Sequence, residues 1–520
     1  MTRILLFSLL FALMGCSTSK KLSTFQHKSH NFSYLVDLKN IKNDQVKVVF
    51  LVQGISEDKM EFCLPKIVPG IYGAMDFGQY ISNLKAYDAS GKEIRSSKEG
   101  TNCWSLEGAR NLAKIEYWVD DTWDVFDMTM EENFYRSAGS SFSPDHYVLN
   151  NNCLLGYLKG HENKAAQLSI QRPAEMYGAT SLQARSGNKL VDVFEAKSYH
   201  ELVDSPILYA KADTSILKFP DIEVEIAVYS SSGTKLAKEL AEHIRPLIEN
   251  QRKYLGGKLP VKNYSFLLFH NLNPDKYSYL GDGLEHQQST LILLYMPLDL
   301  NVIKGNVYGI ASHEFIHTIM PLGIHSEEIA NYNYNDPKFS RHIWLYEGMT
   351  EYFTIHMPIK NKVQQLPDFF RVLQRKIKES KQFDKDLSLT ELSLSPMDKQ
   401  DQYYNVYLKG TLTNMCLDIE LRDYSKGEYG VQDMVAQLLA KYGPDRAFKD
   451  DEFFEEIIAL TKWPGMRNFI EQYIEGTTPL PLKDYFERVG FKYNEGTLIL
   501  SENEAASAEQ LQLRKYWIDQ

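Results

Sequence analysis

Five consecutive residues constrain this chain more than any others: His313-Glu314-Phe315-Ile316-His317. Two histidines four apart on a helix lie on one face, one turn apart, so both imidazoles can reach a single ion. The preceding Val307-Tyr308-Gly309-Ile310-Ala311-Ser312 can be helical, and a helix is predicted over 306–320. Glu314 follows the first histidine, the place of a general base beside a metal. In a chain of 520 residues the pattern arises by chance on the order of a few per cent of the time. The bland reading, a helix with two solvated histidines, therefore has to be tested against a second signal.

That signal is Trp344-Leu345-Tyr346-Glu347-Gly348-Met349-Thr350-Glu351-Tyr352-Phe353, predicted to open a helix over 344–356. Glu347 is set among apolar residues, where an ionised carboxylate is costly without a cation partner. Two His and one Glu leave the fourth position of zinc open, the arrangement of catalytic sites. Glu351, one turn on, could accept the second nitrogen proton of a zinc-bound histidine; a surface carboxylate explains it equally well. His325 is the rival ligand. A metzincin needs histidine at the sixth position after His317, where Gly323 stands, so His325 is set aside and can at most line the cleft.

The rest of the chain reads as several domains, as 520 residues lead one to expect. Residues 30–218 show alternating and β-branched runs such as Val46–Val52 and Lys114–Val119, punctuated by turns at Pro69-Gly70 and Ser186-Gly187-Asn188. Short strands with regular turns suggest a sandwich-like β domain. From Thr234 the period changes: Leu236, Leu240, Ile244, Leu247 and Ile248 fit one face of a helix, perturbed at Pro246. Strands near 264–270 and 289–295 follow, and the chain then turns mainly helical. The expected division is a β domain over 30–218, a catalytic domain over 219–375, a helical lobe over 376–495 and a tail over 496–520.

The N-terminus reads as a targeting segment. Arg3 precedes the short apolar run Ile4–Met14, and Leu13-Met14-Gly15-Cys16 resembles a bacterial lipobox. On that reading residues 1–15 are a signal peptide, Cys16 is lipidated, and 16–29 tether the protein to a membrane of the bacterial cell envelope, on the periplasmic side or at the outer membrane. Net charge of -11 argues against a nucleic-acid partner. The other cysteines, Cys63, Cys103, Cys153 and Cys416, form no metal-ligand spacing. Four buried thiols are expected, with a Cys63–Cys103 bridge as the alternative.

These residues together resemble the gluzincin metallopeptidases, and the glycyl aminopeptidase family of bacteria most closely. The resemblance rests on HEFIH and WLYEGMTEYF. It rests equally on Ile67-Val68-Pro69-Gly70-Ile71-Tyr72-Gly73-Ala74-Met75-Asp76-Phe77, on Tyr199–Ile207 at the domain junction, on Gly283-Leu284-Glu285-His286 and on Tyr407-Leu408-Lys409-Gly410. It implies a β N-terminal domain, a thermolysin-like α+β zincin domain with a helical C-terminal lobe, one zinc per chain, and peptide substrates that lose small N-terminal residues, Gly or Ala. It implies His313, His317 and Glu347 as ligands and Glu314 as base. Glu285, with Gly283 beside it, would hold the substrate's amine, and the strand from Ser289 could pair with an extended peptide. Tyr407 would donate a hydrogen bond to the oxyanion, with core packing as its bland reading and Tyr404 as a competitor. Many members carry a C-terminal PDZ domain, for which the residues after Phe486 are too few, so recognition of peptide tails is not expected. The alternatives are a zinc endopeptidase of the cell envelope and a non-catalytic lipid-anchored binding protein with a relict site.

Overall fold

The computed structural model describes residues 31–123, 135–272 and 281–519. Cys16, the lipobox and the tether lie outside the described residues.

Period-two alternation builds the first domain. In Gln45–Val52 every second residue, Val46, Val48, Phe50 and Val52, is buried, as a strand with one face on a core requires. It pairs antiparallel with Phe32–Lys42 and with Leu112–Asp120 inside an eight-stranded sheet. A four-stranded sheet containing Lys59–Cys63 and Cys103–Glu107 lies against it, the Phe62 ring 5.5 Å from Tyr117 and 6.2 Å from Phe50. A third sheet contains His146–Leu149 and Ile207–Ala210. Cys63 and Cys103 are directly opposed in their ladder and form a disulfide, so the expectation of four free thiols is corrected. Cross-strand register places the two Cβ atoms within bridging reach, which a separation of 40 residues in sequence conceals. Cys153 and Cys416 are the buried thiols.

The second domain begins before residue 219. Thr214–Lys218 pairs with Glu223–Ser230 as the outer strand of a five-stranded sheet that continues through Asn263–Asn271 and Ser289–Tyr295 to Gly281–His286. Helix Ala237–Tyr254, with Leu240, Ile244, Leu247 and Ile248 buried, connects the parallel strands Glu223–Ser230 and Asn263–Asn271. Both sheet faces are covered. Phe266, Leu268, Ile292 and Leu294 pack with the helices, and Leu267, Phe269, Leu291 and Leu293 pack against Trp123, Val148 and Leu208 of the β domain. That double burial is why these strands read as unbroken apolar runs.

Ser289–Tyr295 is bonded on both sides, so its backbone cannot take a peptide, contrary to expectation. Gly281–His286 is the sheet edge among the described residues, and Glu285 lies within it. Two glycines and an aspartate have the composition of a turn, but pairing with Ser289–Tyr295 overrides local preference.

The helical lobe is centred on Ile343–Lys360 and Asn405–Tyr424. A Cβ on Gly348 would stand 2.7 Å from Gly410 Cα, so the two helices touch backbone to backbone there. Helix Leu366–Ser380 runs across the division expected at 375. The expected tail is also structured: Ile499–Glu502 pairs with Phe491–Asn494, and helix Ala508–Ile518 buries Trp517 against Phe369 and His356. Its apolar face, Leu513, Trp517 and Ile518, is separated in sequence by charged residues, which disguises it. Among the described residues no helix is long and apolar enough to cross a membrane.

Candidate metal centre

The first two candidate ligands come from the end of one helix. Asp299 caps helix Leu300–Ile316 by accepting from the backbone N–H groups of Asn301 and Val302 at 2.9 and 3.3 Å. His313 lies in the last turn and His317 just past it. The helix stops short of the expected residue 320, because the Thr318 hydroxyl takes the Phe315 carbonyl and Pro321 has no N–H to continue the ladder. The Nε2 atoms of His313 and His317 are 3.1 Å apart. Glu347 Oε2, from helix Ile343–Lys360, is 3.7 Å from the first and 3.5 Å from the second. Donors about 2.0–2.1 Å from a tetrahedral ion are about 3.4 Å from one another, so this triangle has the size of one coordination face. Glu347 Oε2 is also buried with no hydrogen-bond partner in the protein, a costly state that a cation at the triangle relieves. Burial works to raise the Glu347 carboxyl, but His317, His313 and the Tyr407 phenol outweigh it and hold it below the ordinary range.

The outer faces of both imidazoles are engaged. His317 Nδ1 lies 2.8 Å from the Met320 carbonyl, and His313 Nδ1 lies 2.8 Å from Glu351 Oε2. An Nδ1–H donated outward leaves each Nε2 lone pair facing the triangle. Glu351 is thus not a surface carboxylate; its other oxygen accepts from Lys376 Nζ at 2.7 Å. Burial opposes the charge on Glu351, yet His313 and Lys376 hold it well below the usual carboxylate range. Lys376 is 3% exposed and was not foreseen. Its one sequence signal is a lysine on the buried face of Leu366–Ser380 beside Phe369, Leu373 and Ile377.

On the cleft side, Glu314, Glu285 and His317 bring ligand atoms within 4.8 Å of one another. Gly283 makes this possible: a Cβ there would stand 2.6 Å from Ile310 Cγ2 and 3.1 Å from Glu314 Oε1. Burial first, then the charges of Glu285, Glu347 and Asp282, raise the Glu314 carboxyl well above its usual range, against the opposing effect of His313. Two carboxylates facing one hollow make it receptive to a cation. The Tyr407 ring is 5.8 Å from that of His313, and its hydroxyl lies 3.5 Å from that of Tyr403. Tyr404, the competitor, is 55% exposed and stacks on the outside of Tyr407. His325 belongs to neither metal-capable cluster among the described residues; burial foremost pulls its imidazole below the ordinary range.

Residues 33–211 match the peptidase M61 N-terminal domain, and residues 306–416 match the M61 glycyl aminopeptidase family, together more than half of the chain. The chain belongs to the M61 peptidase family. No curated protein matches it. Among solved structures, an aminopeptidase N family protein from Idiomarina loihiensis shares the fold at a TM-score of 0.75 and 19% identity, covering 89% of this chain and 78% of that one. An M1 zinc metallopeptidase from Deinococcus radiodurans, solved with a Tyr-Ser-Ala substrate bound, matches at 0.55 and 13%, covering 87% of this chain and 94% of that one.

The M61 N-terminal domain reaches into the centre of this peptidase. Asp204, in the junction Tyr199–Ile207, accepts from the Gln287 N–H at 3.0 Å and meets His286 Nδ1 at 3.0 Å, gripping the hairpin that carries Glu285. Gly70 is at φ +82°, and a Cβ on it would stand 2.5 Å from Glu285 Oε1. The Pro69-Gly70 stretch, a plain turn signal in the M61 sequence, therefore forms one wall of the site.

Proposed function

We propose that this M61 peptidase is a zinc aminopeptidase of the gluzincin type, releasing small N-terminal residues, Gly or Ala, from peptides. The observation that carries the reading is the His313, His317 and Glu347 triangle, with its unpartnered buried oxygen, facing a hollow that Glu314 and Glu285 share. Two imidazole nitrogens and one carboxylate oxygen are a donor set that zinc takes in catalytic sites. His313, His317 and Glu347 would hold it, oriented by Glu351 and the Met320 carbonyl.

Bound there, zinc polarises the scissile carbonyl and eases ionisation of the attacking water. The chain's own residues do the rest. Glu314 takes the water's proton and hands it to the leaving amine. The Tyr407 phenol donates to the oxyanion. Glu285 pairs with the substrate's ammonium, so the chain end, not an internal peptide bond, is fixed at the site. The outer edge of Gly281–His286 offers backbone pairing to an extended peptide.

The test is a turnover panel of free and N-acetylated Gly, Ala and Leu peptides, with and without a chelator. Free Gly and Ala peptides are expected to be cleaved, acetylated ones spared, and all activity lost to the chelator. Equal cleavage of acetylated peptides would make it an endopeptidase. The location we propose is the bacterial cell envelope, held by a lipid on Cys16; Arg3, the apolar run Ile4–Met14 and Leu13–Cys16 support it. Labelling with a palmitate analogue, lost in Cys16→Ser, checks the anchor.

A further inference from the structure

We propose that Tyr72, supplied by the N-terminal domain, is the specificity-determining residue of this site: its ring is the wall that meets the substrate's first side chain and limits it to small groups. The inference rests on the aminopeptidase reading.

In that reading the substrate has two anchors. Its ammonium lies at Glu285 and its scissile carbonyl at the His313, His317 and Glu347 triangle. One carbon atom, the first Cα, separates these anchors, so the first side chain must leave from between them. The loop after Cys63 closes that side. Gly70 brings bare backbone against the Glu285 carboxylate. Two residues on, the Tyr72 ring packs 4.7 Å from that of Tyr403 and 5.9 Å from that of Phe339. The Tyr403 hydroxyl is in turn 3.5 Å from that of Tyr407. Three residues of loop therefore run from the ammonium anchor towards the oxyanion phenol; Ile71 is buried in the core of the N-terminal domain, and Tyr72 carries the bulk that packs on the helical lobe. Its phenol, raised foremost by burial, senses the charges of both Glu347 and Glu285, which agrees with a position between the anchors.

The wall cannot yield readily. The Gln400 side chain donates to the Tyr72 carbonyl at 3.0 Å. The N–H groups of Lys66 and Ile67 both bond the Tyr334 carbonyl, and those of Met75 and Asp76 return to the Lys66 carbonyl. A loop fixed at both ends keeps its volume, and each methylene too many in a fixed pocket costs roughly 10–200-fold in kcat/KM.

The experiment compares wild type, Tyr72→Ala and Tyr72→Phe on Gly, Ala and Leu anilides, with zinc content and melting temperature measured on each. The reading is the Leu-to-Ala ratio of kcat/KM, which a merely structural defect does not raise. Tyr72→Ala is expected to raise it at least tenfold at unchanged zinc content, and Tyr72→Phe to leave it near the wild-type value. A zinc-loaded Tyr72→Ala with the wild-type ratio overturns the inference, as does a wild type that turns over Leu as fast as Ala. Should Tyr72→Ala not fold, Tyr72→Leu replaces it under the same criteria. Failure of the underlying reading is separate: it shows as cleavage of N-acetylated substrates by the wild type.

Discussion

At the scale of single residues, Glu314 is where chemistry and metal binding come apart. It faces the hollow but is not part of the ligand triangle. Glu314→Gln keeps size and shape, so zinc content should stay unchanged while kcat on an aminoacyl anilide falls by about 10²–10⁴-fold. Full activity in a zinc-loaded Glu314→Gln would remove it from the mechanism. The ligand triangle was legible because helical spacing is local: four residues separate His313 from His317, and Glu347 stands out as an acid in an apolar run. Glu351 was half legible, since its spacing from Glu347 is readable but its partner His313 is not. Lys376 and Gly70 were opaque for the same reason. Each reaches the site from another element, and nothing in its own neighbourhood says which carboxylate it will meet.

At the scale of elements, the contact between Ile343–Lys360 and Asn405–Tyr424 positions Glu347 and Tyr407 together. Gly348 is one residue from Glu347, and Gly410 is three from Tyr407. Gly348→Ala would press a methyl into the facing backbone. Overpacking of this kind costs about 1–3 kcal/mol, and here the displaced helix carries a ligand. The expected outcome is a lower urea midpoint together with weaker zinc retention; a Gly348→Ala protein that keeps both would show that the helices part without moving Glu347. The helix read from the sequence over 344–356 lies within Ile343–Lys360, and the face Leu240, Ile244, Leu247 and Ile248 is the buried one of Ala237–Tyr254, because one apolar face is a local pattern. Strand roles were not legible in this way. Which strand is the edge depends on chain order in the sheet, and the order Asn263–Asn271, Ser289–Tyr295, Gly281–His286 is invisible in any one segment.

At the scale of the whole molecule, two buried histidines tie stability to pH. Burial foremost pulls His342 down to about 4 and His356 to about 3, against the opposing charges of Asp450 and Asp418. An unfolded histidine takes its proton near pH 6.5. Both groups therefore contribute stability that is complete above about pH 6.5 and is lost as pH falls towards about 4 and below. Urea unfolding of chelator-treated protein should show a falling midpoint across that window, and His356→Gln should flatten the slope relative to wild type. An identical slope in the variant would assign the acid sensitivity elsewhere.

The Gly70 backbone against Glu285, together with Asp204 on the hairpin, has an evolutionary consequence. The two domains cannot be inherited as interchangeable parts. A recombination event that joined this catalytic half to a diverged β half would alter the cavity without touching a single metal ligand. Substrate preference can thus drift through changes in the half of the gene that carries none of the metal-binding chemistry, and chimeras between relatives should sort by their β half.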